Sequence, residues 1–327
     1  MKAIVIEPNK DLVWKEVDDP ILREGEVLVE VHAAAVNRAD LMQRDGLYPP
    51  PPGCPEWPGL EISGKIVKMT PEAEAEGKWH VGDSVCALLG GGGYAEYAAV
   101  HSSMLMPVPD GISLIEAAAL PEAFATAYLN LFIEGGAKSG MNFLMHAGAS
   151  GLASVIIPMA KAFGLRVITT VLNERVAQSI THLKADLVVD TSKENIADVL
   201  KREAEAGRPL NLAIDCLGSE KVGECFPHVA YGCRWIMIAT LAGDITPVNL
   251  RTMYVKNIRL IGSTLRSKPQ ETKAEILASL VRDVWPKVTS GEVRPTVYKV
   301  LPIQEAEAAH ALLSEGKSVG KVILTVR

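Results

Sequence analysis

The chain has 327 residues, a formal net charge of −6 at pH 7, 48% hydrophobic residues and 22% charged ones. This is the composition of a soluble globular protein, and the length suits two domains with separate cores. The acidic balance without a basic cluster argues against a nucleic-acid surface, and no run approaches the roughly 20 apolar residues of a membrane helix.

The opening "MKAIVIEP" meets Glu7 and Pro8 too soon for a secretory signal, so a cytoplasmic location is expected. Strand-like runs follow: "KAIVIE", "EVLVEVHAAAV", "LEISGKIVKM", "DSVCALL" and "YAEYAAV", rich in Val, Ile and Ala. Between them, Tyr48 to Pro58 ("YPPPPGCPEWP") must be loop, because proline lacks the N–H and restrains its predecessor. Gly90 to Gly93 is a permissive turn. From Leu114 the spacing turns helical, with a break at Pro121.

Strands and helices then alternate. "NFLMHAG", "LRVITTV", "LVVD", "LNLAIDCLG" and "CRWIMIATL" read as strands, and "GLASVIIPMAKAFG", "NERVAQSITHLKA" and Glu194 to Glu205 as the helices between them. That pattern means parallel βαβ units, a doubly wound α/β sheet, with "IRLIGSTL" as a further edge strand. A helix from Gln270 to Ser290 leads into a strand–helix–turn–strand tail whose "GKVILTV" resembles the first third. The reading is a discontinuous β-rich outer domain, residues 1–121 and 265–327, with a dinucleotide domain, 122–264, inserted in it. The five cysteines (Cys54, Cys86, Cys216, Cys225, Cys233) form no CxxC pair and the seven histidines no HExxH, so free thiols and no metal site are expected.

The informative stretch is "NFLMHAGASGLASVIIPMAKAFG", Asn142 to Gly164. A dinucleotide turn needs glycine where the chain reverses and where backbone approaches the pyrophosphate, and a small residue where helix meets strand. Gly148 and Gly151 suit the first two needs, and Ala153 stands at the third. Pro158 removes the donor to the Ser154 carbonyl, which costs roughly 3 kcal/mol or bends the helix. An NAD site usually carries Asp or Glu about 20 residues on, to hold the ribose 2′-hydroxyl. Here "ITTVLNER" has no acid before Glu174, while Asn173 and Arg175 suit a 2′-phosphate. The alternative is that Arg175 is only a solvated helix start. NADPH is the expected cofactor.

"AAAVNRADLMQRDGLYPPPPG", "GLEISGKI", "VGDSVCALLGGGGYAEYAAV", "LPEAFATAYLNLF", "HAGASG" and "STLRSKPQ", taken in order, resemble a zinc-independent quinone oxidoreductase of the medium-chain dehydrogenase/reductase superfamily. The likeness spans the whole chain and is strongest to the p53-inducible, zeta-crystallin-like type. It implies a GroES-like catalytic domain plus a Rossmann domain, a homodimer, and NADPH in the cleft between the domains. Zinc-dependent relatives carry Cys where this chain has Asn37, and Gly-His-Glu where it has Gly59, Leu60 and Glu61.

The resemblance puts Asn37 and Tyr48 at the catalytic centre, Asn37 also lining the nicotinamide. Thr126 would meet the nicotinamide end. Gly148, Ser150, Gly151 and Leu152 would form the pyrophosphate turn, and Asn173 and Arg175 the 2′-phosphate site. Thr191 stands where a tyrosine commonly lies near the adenine. Leu217 and Gly218 would lie beside adenosine and ribose, Thr240 and Leu241 nearer nicotinamide, and Leu265, Arg266 and Lys321 would complete the cofactor contacts. Tyr48 could instead cap the proline loop. The implied activity is NADPH-dependent reduction of a quinone or related conjugated carbonyl, without metal. The alternatives are an enoyl or alkenal reductase, or a non-catalytic NADPH-binding protein.

Overall fold

The structure, a computed structural model, describes residues 1–316 and 319–327. The chain forms two compact units. The first comprises Met1–Ala125, Arg266–Gly291 and Pro295–Arg327; the second comprises Thr126–Leu265 with Glu292–Arg294. No described helix is long and apolar enough to cross a membrane.

The first unit begins with β1 (Lys2–Ile6), β2 (Leu12–Glu16) and β3 (Glu26–Ala35). A short helix, α1 (Arg38–Arg44), precedes β4 (Glu61–Met69), α2 (Pro71–Ala75), β5 (Ser84–Leu88), β6 (Tyr97–His101) and β7 (Leu105–Pro107). Then come α3 (Leu114–Ala117) and α4 (Pro121–Tyr128), so Pro121 opens a helix, where its missing N–H costs nothing. Val27, Val29, Val31 and Ala33 alternate along β3 and are fully buried, the period of two that makes it the central strand. With β14 (Val297–Pro302) and β15 (Lys321–Thr325), the sheet runs β14-β15-β3-β4-β5-β7 with β6 also on β3, so residues from both ends of the chain share it. α1 was not expected from the apolar spacing. It forms because the Asp40 carboxylate accepts the backbone N–H of Asn37 at 2.7 Å, satisfying an amide at the helix start.

In the second unit α4 continues as a π-helical stretch, Leu129–Glu134, where plain helix was expected. The alternation follows: β8 (Asn142–Met145), α5 (Ala153–Ala162), β9 (Arg166–Val171), α6 (Glu174–Ser179), β10 (Leu187–Asp190), α7 (Ile196–Glu205), β11 (Leu210–Asp215), α8 (Val222–Cys225), β12 (Val229–Met237), α9 (Leu250–Val255) and β13 (Arg259–Gly262). Every pairing is parallel and the order is β10-β9-β8-β11-β12-β13. The order reverses between β8 and β11, so the C-terminal ends of those two strands form the topological switch point where such sheets bind ligands. β12 lies between β11 and β13, stops at Met237, and leaves β13 at the edge.

The first unit is completed by α10 (Gln270–Thr289), β14 (Val297–Pro302), α11 (Ala306–Ser314) and β15 (Lys321–Thr325). α10 buries Ile276, Leu277, Leu280, Val284 and Val288, a helical stripe facing the core.

Candidate active site

At the end of β8 the chain turns sharply. The left-handed residue of this turn is Ala147, φ +54°, so the reversal falls one position before the glycine expected to make it. Gly148 is needed for closeness instead: a Cβ there would lie 2.5 Å from Thr169 Oγ1 and 3.0 Å from Ile180 Cδ1. Its N–H donates to the Thr170 carbonyl at 2.8 Å, pinning the turn to β9. Ser150 Oγ accepts from the Ala153 N–H at 3.1 Å, at the first residue of α5. The amides of Ala149, Gly151 and Leu152 donate to no protein group among the described residues. Three backbone donors at a helix start are what an anionic pyrophosphate needs, so the turn fits a dinucleotide. Ala153 is fully buried at the contact, and α5 runs on through Pro158 to Ala162.

At the end of β9, Asn173 Oδ1 caps α6 by accepting from the Val176 N–H at 3.1 Å. Arg175 is exposed and has no acidic partner among the described residues. Glu174, the one acid nearby in sequence, turns to Lys193 at 2.6 Å, beyond β10. Lys193 was missed by sequence reasoning, because only the β9–β10 pairing brings it beside this strand end. The Thr191 hydroxyl bonds the Val171 carbonyl at 3.0 Å, tying the two strand ends together.

Across the switch point, Asp215 is fully buried and shapes the loop after β11. Its Oδ1 accepts from the amides of Leu217 (2.8 Å) and Gly218 (3.0 Å), and its Oδ2 from Trp235 Nε1 at 3.0 Å. Gly218 has φ +66° and packs where a Cβ would meet the Gly243 carbonyl at 2.4 Å. Thr240 and Leu241 lie in the loop beyond β12, and the Leu241 N–H donates to the Cys216 carbonyl at 3.1 Å. His146, buried against Thr170, is held below its ordinary pKa by that burial, although Asp215 opposes the shift. Thr126 starts this unit, within α4, and its carbonyl accepts from Asn130; Leu265 is buried at its far end.

In the first unit, Asn37 sits at the start of α1 beside a buried ion pair. Lys321 Nζ lies 2.7 Å from Glu61 Oε1, with the side chains 4% and 0% exposed. Lys321 also donates to Asn37 Oδ1 at 2.5 Å. Asn37 Nδ2 donates to Glu61 Oε1 (2.9 Å) and to the Ala35 carbonyl (3.3 Å). Glu61 Oε2 accepts the Glu122 amide at 2.8 Å. Both amide hydrogens of Asn37 are therefore occupied, and what it can offer a ligand is a lone pair of Oδ1. Asn37 is an acceptor here, which suits an N–H or O–H group and not a bare carbonyl.

Tyr48 is half-buried, and Arg266 lies over its ring, 4.8 Å from guanidinium carbon to ring centre. Arg266 is 7% exposed and is held within this unit: Nε and Nη2 donate to the Gly90 carbonyl, Nη1 to the Tyr48 carbonyl, and Nη2 to Gln43 Oε1 at 2.8 Å. Gln43 in turn donates to the Glu56 carbonyl at 2.8 Å, so one arginine and one glutamine pin both ends of the proline loop. Asp40, fully buried, accepts from Gly59 N–H and from the Tyr94 hydroxyl, and burial pushes it up to about 6. It organises the Asn37 loop.

Residues 23–110 match the Alcohol dehydrogenase GroES-like domain family and residues 183–324 the Zinc-binding dehydrogenase family. The chain belongs to the medium-chain dehydrogenase/reductase superfamily. It is 28% identical over 310 residues to a quinone oxidoreductase-like protein 2 homolog of Nematostella vectensis, covering 94% of this chain and 83% of that one. Among solved structures, the quinone oxidoreductase from Thermus thermophilus, determined also with NADPH, aligns with a TM-score of 0.82 at 29% identity and 100% coverage of both chains. An NAD-dependent alcohol dehydrogenase aligns with a TM-score of 0.83 at 26% identity, again over 100% of both.

For this member of the superfamily, the sheet brings the predicted residues of the second unit to one edge: Gly148, Ser150, Gly151 and Leu152 after β8, Asn173 and Arg175 after β9, Thr191 after β10, and Leu217 and Gly218 after β11. In the first unit it gathers Asn37, Glu61 and Lys321 in one cluster, and Tyr48 and Arg266 in another. No group of three or more His, Cys, Asp or Glu side chains among the described residues is placed to hold a metal ion. Gln43 carries no sequence signal of its own; its role follows from α1.

Proposed function

We propose that this protein is an NADPH-dependent quinone oxidoreductase that works without a metal ion. The observation that carries the reading is the switch point of the parallel sheet. A turn with three amides unengaged among the described residues lies there, and Arg175, with no acidic partner among them, stands at the next strand end where an NAD site would carry a carboxylate. NADPH, when bound, supplies the reducing equivalents. The Ala149–Leu152 turn would hold the pyrophosphate, and Arg175, with Lys193 nearby, the 2′-phosphate.

Metal independence is supported by the cluster at Asn37. The Lys321 ammonium already neutralises Glu61 there, and no group of three or more His, Cys, Asp or Glu side chains among the described residues is placed to hold a cation. A quinone needs no metal, because it is electron-poor enough to be reduced without a Lewis acid. The names of the Nematostella relative and the Thermus structure point to the same substrate class. Asn37 would accept a hydrogen bond from the cofactor, and Tyr48 would return a proton.

A homodimer is part of the reading. The edge strand β13 and its surroundings carry Tyr231, Leu250, Tyr254 and Val255, all exposed, as a second copy of the sheet edge would require. The functional test is product analysis with NADPH and a panel of ortho- and para-quinones beside conjugated enals. Hydroquinone formation supports the reading. Turnover of enals alone would make the protein an alkenal reductase, and cofactor binding with no turnover would make it a binding protein.

A further inference from the structure

Among the described residues of the first unit, two lysine or arginine side chains are buried, Lys321 and Arg266, and their surroundings differ. Lys321 is matched by Glu61 at 2.7 Å. Arg266 is bound by neutral acceptors, the carbonyls of Gly90 and Tyr48 and the amide oxygen of Gln43, and has no carboxylate within ion-pair distance among the described residues. A guanidinium in such a place keeps its full field, and its nearest aromatic neighbour is the ring of Tyr48. The rigid fork that fixes Arg266 to the Tyr48 carbonyl also fixes the ring beneath it.

We propose that Arg266 activates Tyr48: its uncompensated charge stabilises the phenolate, so that Tyr48 can give its proton to the oxygen of the reduced acceptor. The proposal rests on the quinone-reductase reading and assigns Arg266 to Tyr48 in place of a cofactor contact. In the step itself, the Tyr48 O–H bond breaks and an O–H bond forms on the hydroquinone oxygen. The electron pair that reduces the quinone comes from the reduced nicotinamide cofactor. Tyr48, left as phenolate beside Arg266, regains its proton from solvent, which it reaches because it is only half-buried.

The charges around the pair are few. Burial raises the Tyr48 phenol above its ordinary range, Arg266 lowers it and Glu122 raises it. Tyr48, Asp40, Cys54 and Glu122 act on Arg266 in turn, and burial disfavours its charge most of all. Removing Arg266 should therefore leave the phenol harder to ionise.

The test replaces Tyr48 by difluorotyrosine, whose fluorines bring the phenol's titration towards neutral pH, and follows the fluorine resonance against pH. In the Arg266→Gln background the midpoint should rise by about one unit, while Arg266→Lys, which keeps the charge and loses the fork, should hold most of it. An unchanged midpoint in folded Arg266→Gln would overturn the proposal. So would a full-unit rise in Arg266→Lys, because scaffolding and not charge would then set Tyr48; this arm decides the matter should Arg266→Gln fail to fold. In turnover, Tyr48→Phe and Arg266→Gln should each lower kcat about tenfold or more with KM for NADPH little changed, and the double variant should be no worse than either. Additive losses would refute the assignment. Absence of quinone turnover in the wild type would overturn the functional reading, whereas the titration still decides whether Arg266 governs Tyr48.

Discussion

The buried Tyr94 hydroxyl lies 3.2 Å from Asp40 Oδ2 and 3.4 Å from His310 Nε2, so two titrating groups share one phenol. Burial, with Arg44 adding to it, lowers His310 from 6.5 to about 4, and burial raises Asp40 from 3.8 to about 6. The stability that His310 contributes is present above pH 6.5 and is lost as pH falls through about 4. That of Asp40 has the opposite sign, present below 3.8 and lost as pH rises through about 6. Between pH 4 and 6 the two offset. Urea midpoints measured from pH 7 to pH 4 should therefore fall more steeply in Asp40→Asn than in the wild type, because only the His310 loss remains. Equal slopes would show that the two groups do not titrate as this geometry requires.

At the scale of elements, the strands of the parallel sheet were legible because each is a short apolar run between turn residues. The alternation with helices was enough to give their direction. α10 was legible from its length and from the helical spacing of its apolar residues. α1 was not, since seven residues give little periodicity and its start depends on the Asp40 carboxylate. The Asn37, Glu61 and Lys321 cluster was also hidden. Asn37 and Glu61 could be named singly, but the ion pair joins residues from opposite ends of the chain through the β15–β3–β4 pairing, and no local pattern encodes that. The glycine turn was legible as a motif but not in its mechanics. The left-handed residue is Ala147, and Gly148 serves the approach to β9. Gly148→Ala should therefore act through packing. Its Cβ would press on Thr169 Oγ1, which is itself fixed by a 2.8 Å bond to the Met145 carbonyl. A loss of about 1–3 kcal/mol in unfolding free energy is expected, together with weaker NADPH binding. Unaltered stability and affinity would mean that the turn has slack the structure does not show.

For the whole molecule, the exposed apolar residues around β13 predict self-association. Light scattering on the eluting protein should give twice the chain mass, and Tyr254→Glu combined with Leu250→Glu should give a monomer. A monomeric wild type would remove the dimer from the account. The central claim is cofactor choice joined to quinone reduction, and one measurement bears on both. That is kcat/KM for NADPH and for NADH with a single quinone, in the wild type and in Arg175→Ala. The account predicts turnover that favours NADPH by about tenfold or more, with the preference largely abolished in Arg175→Ala, as removal of a charge-assisted phosphate contact implies. A preference for NADH, or no turnover with either cofactor by folded protein, would contradict it.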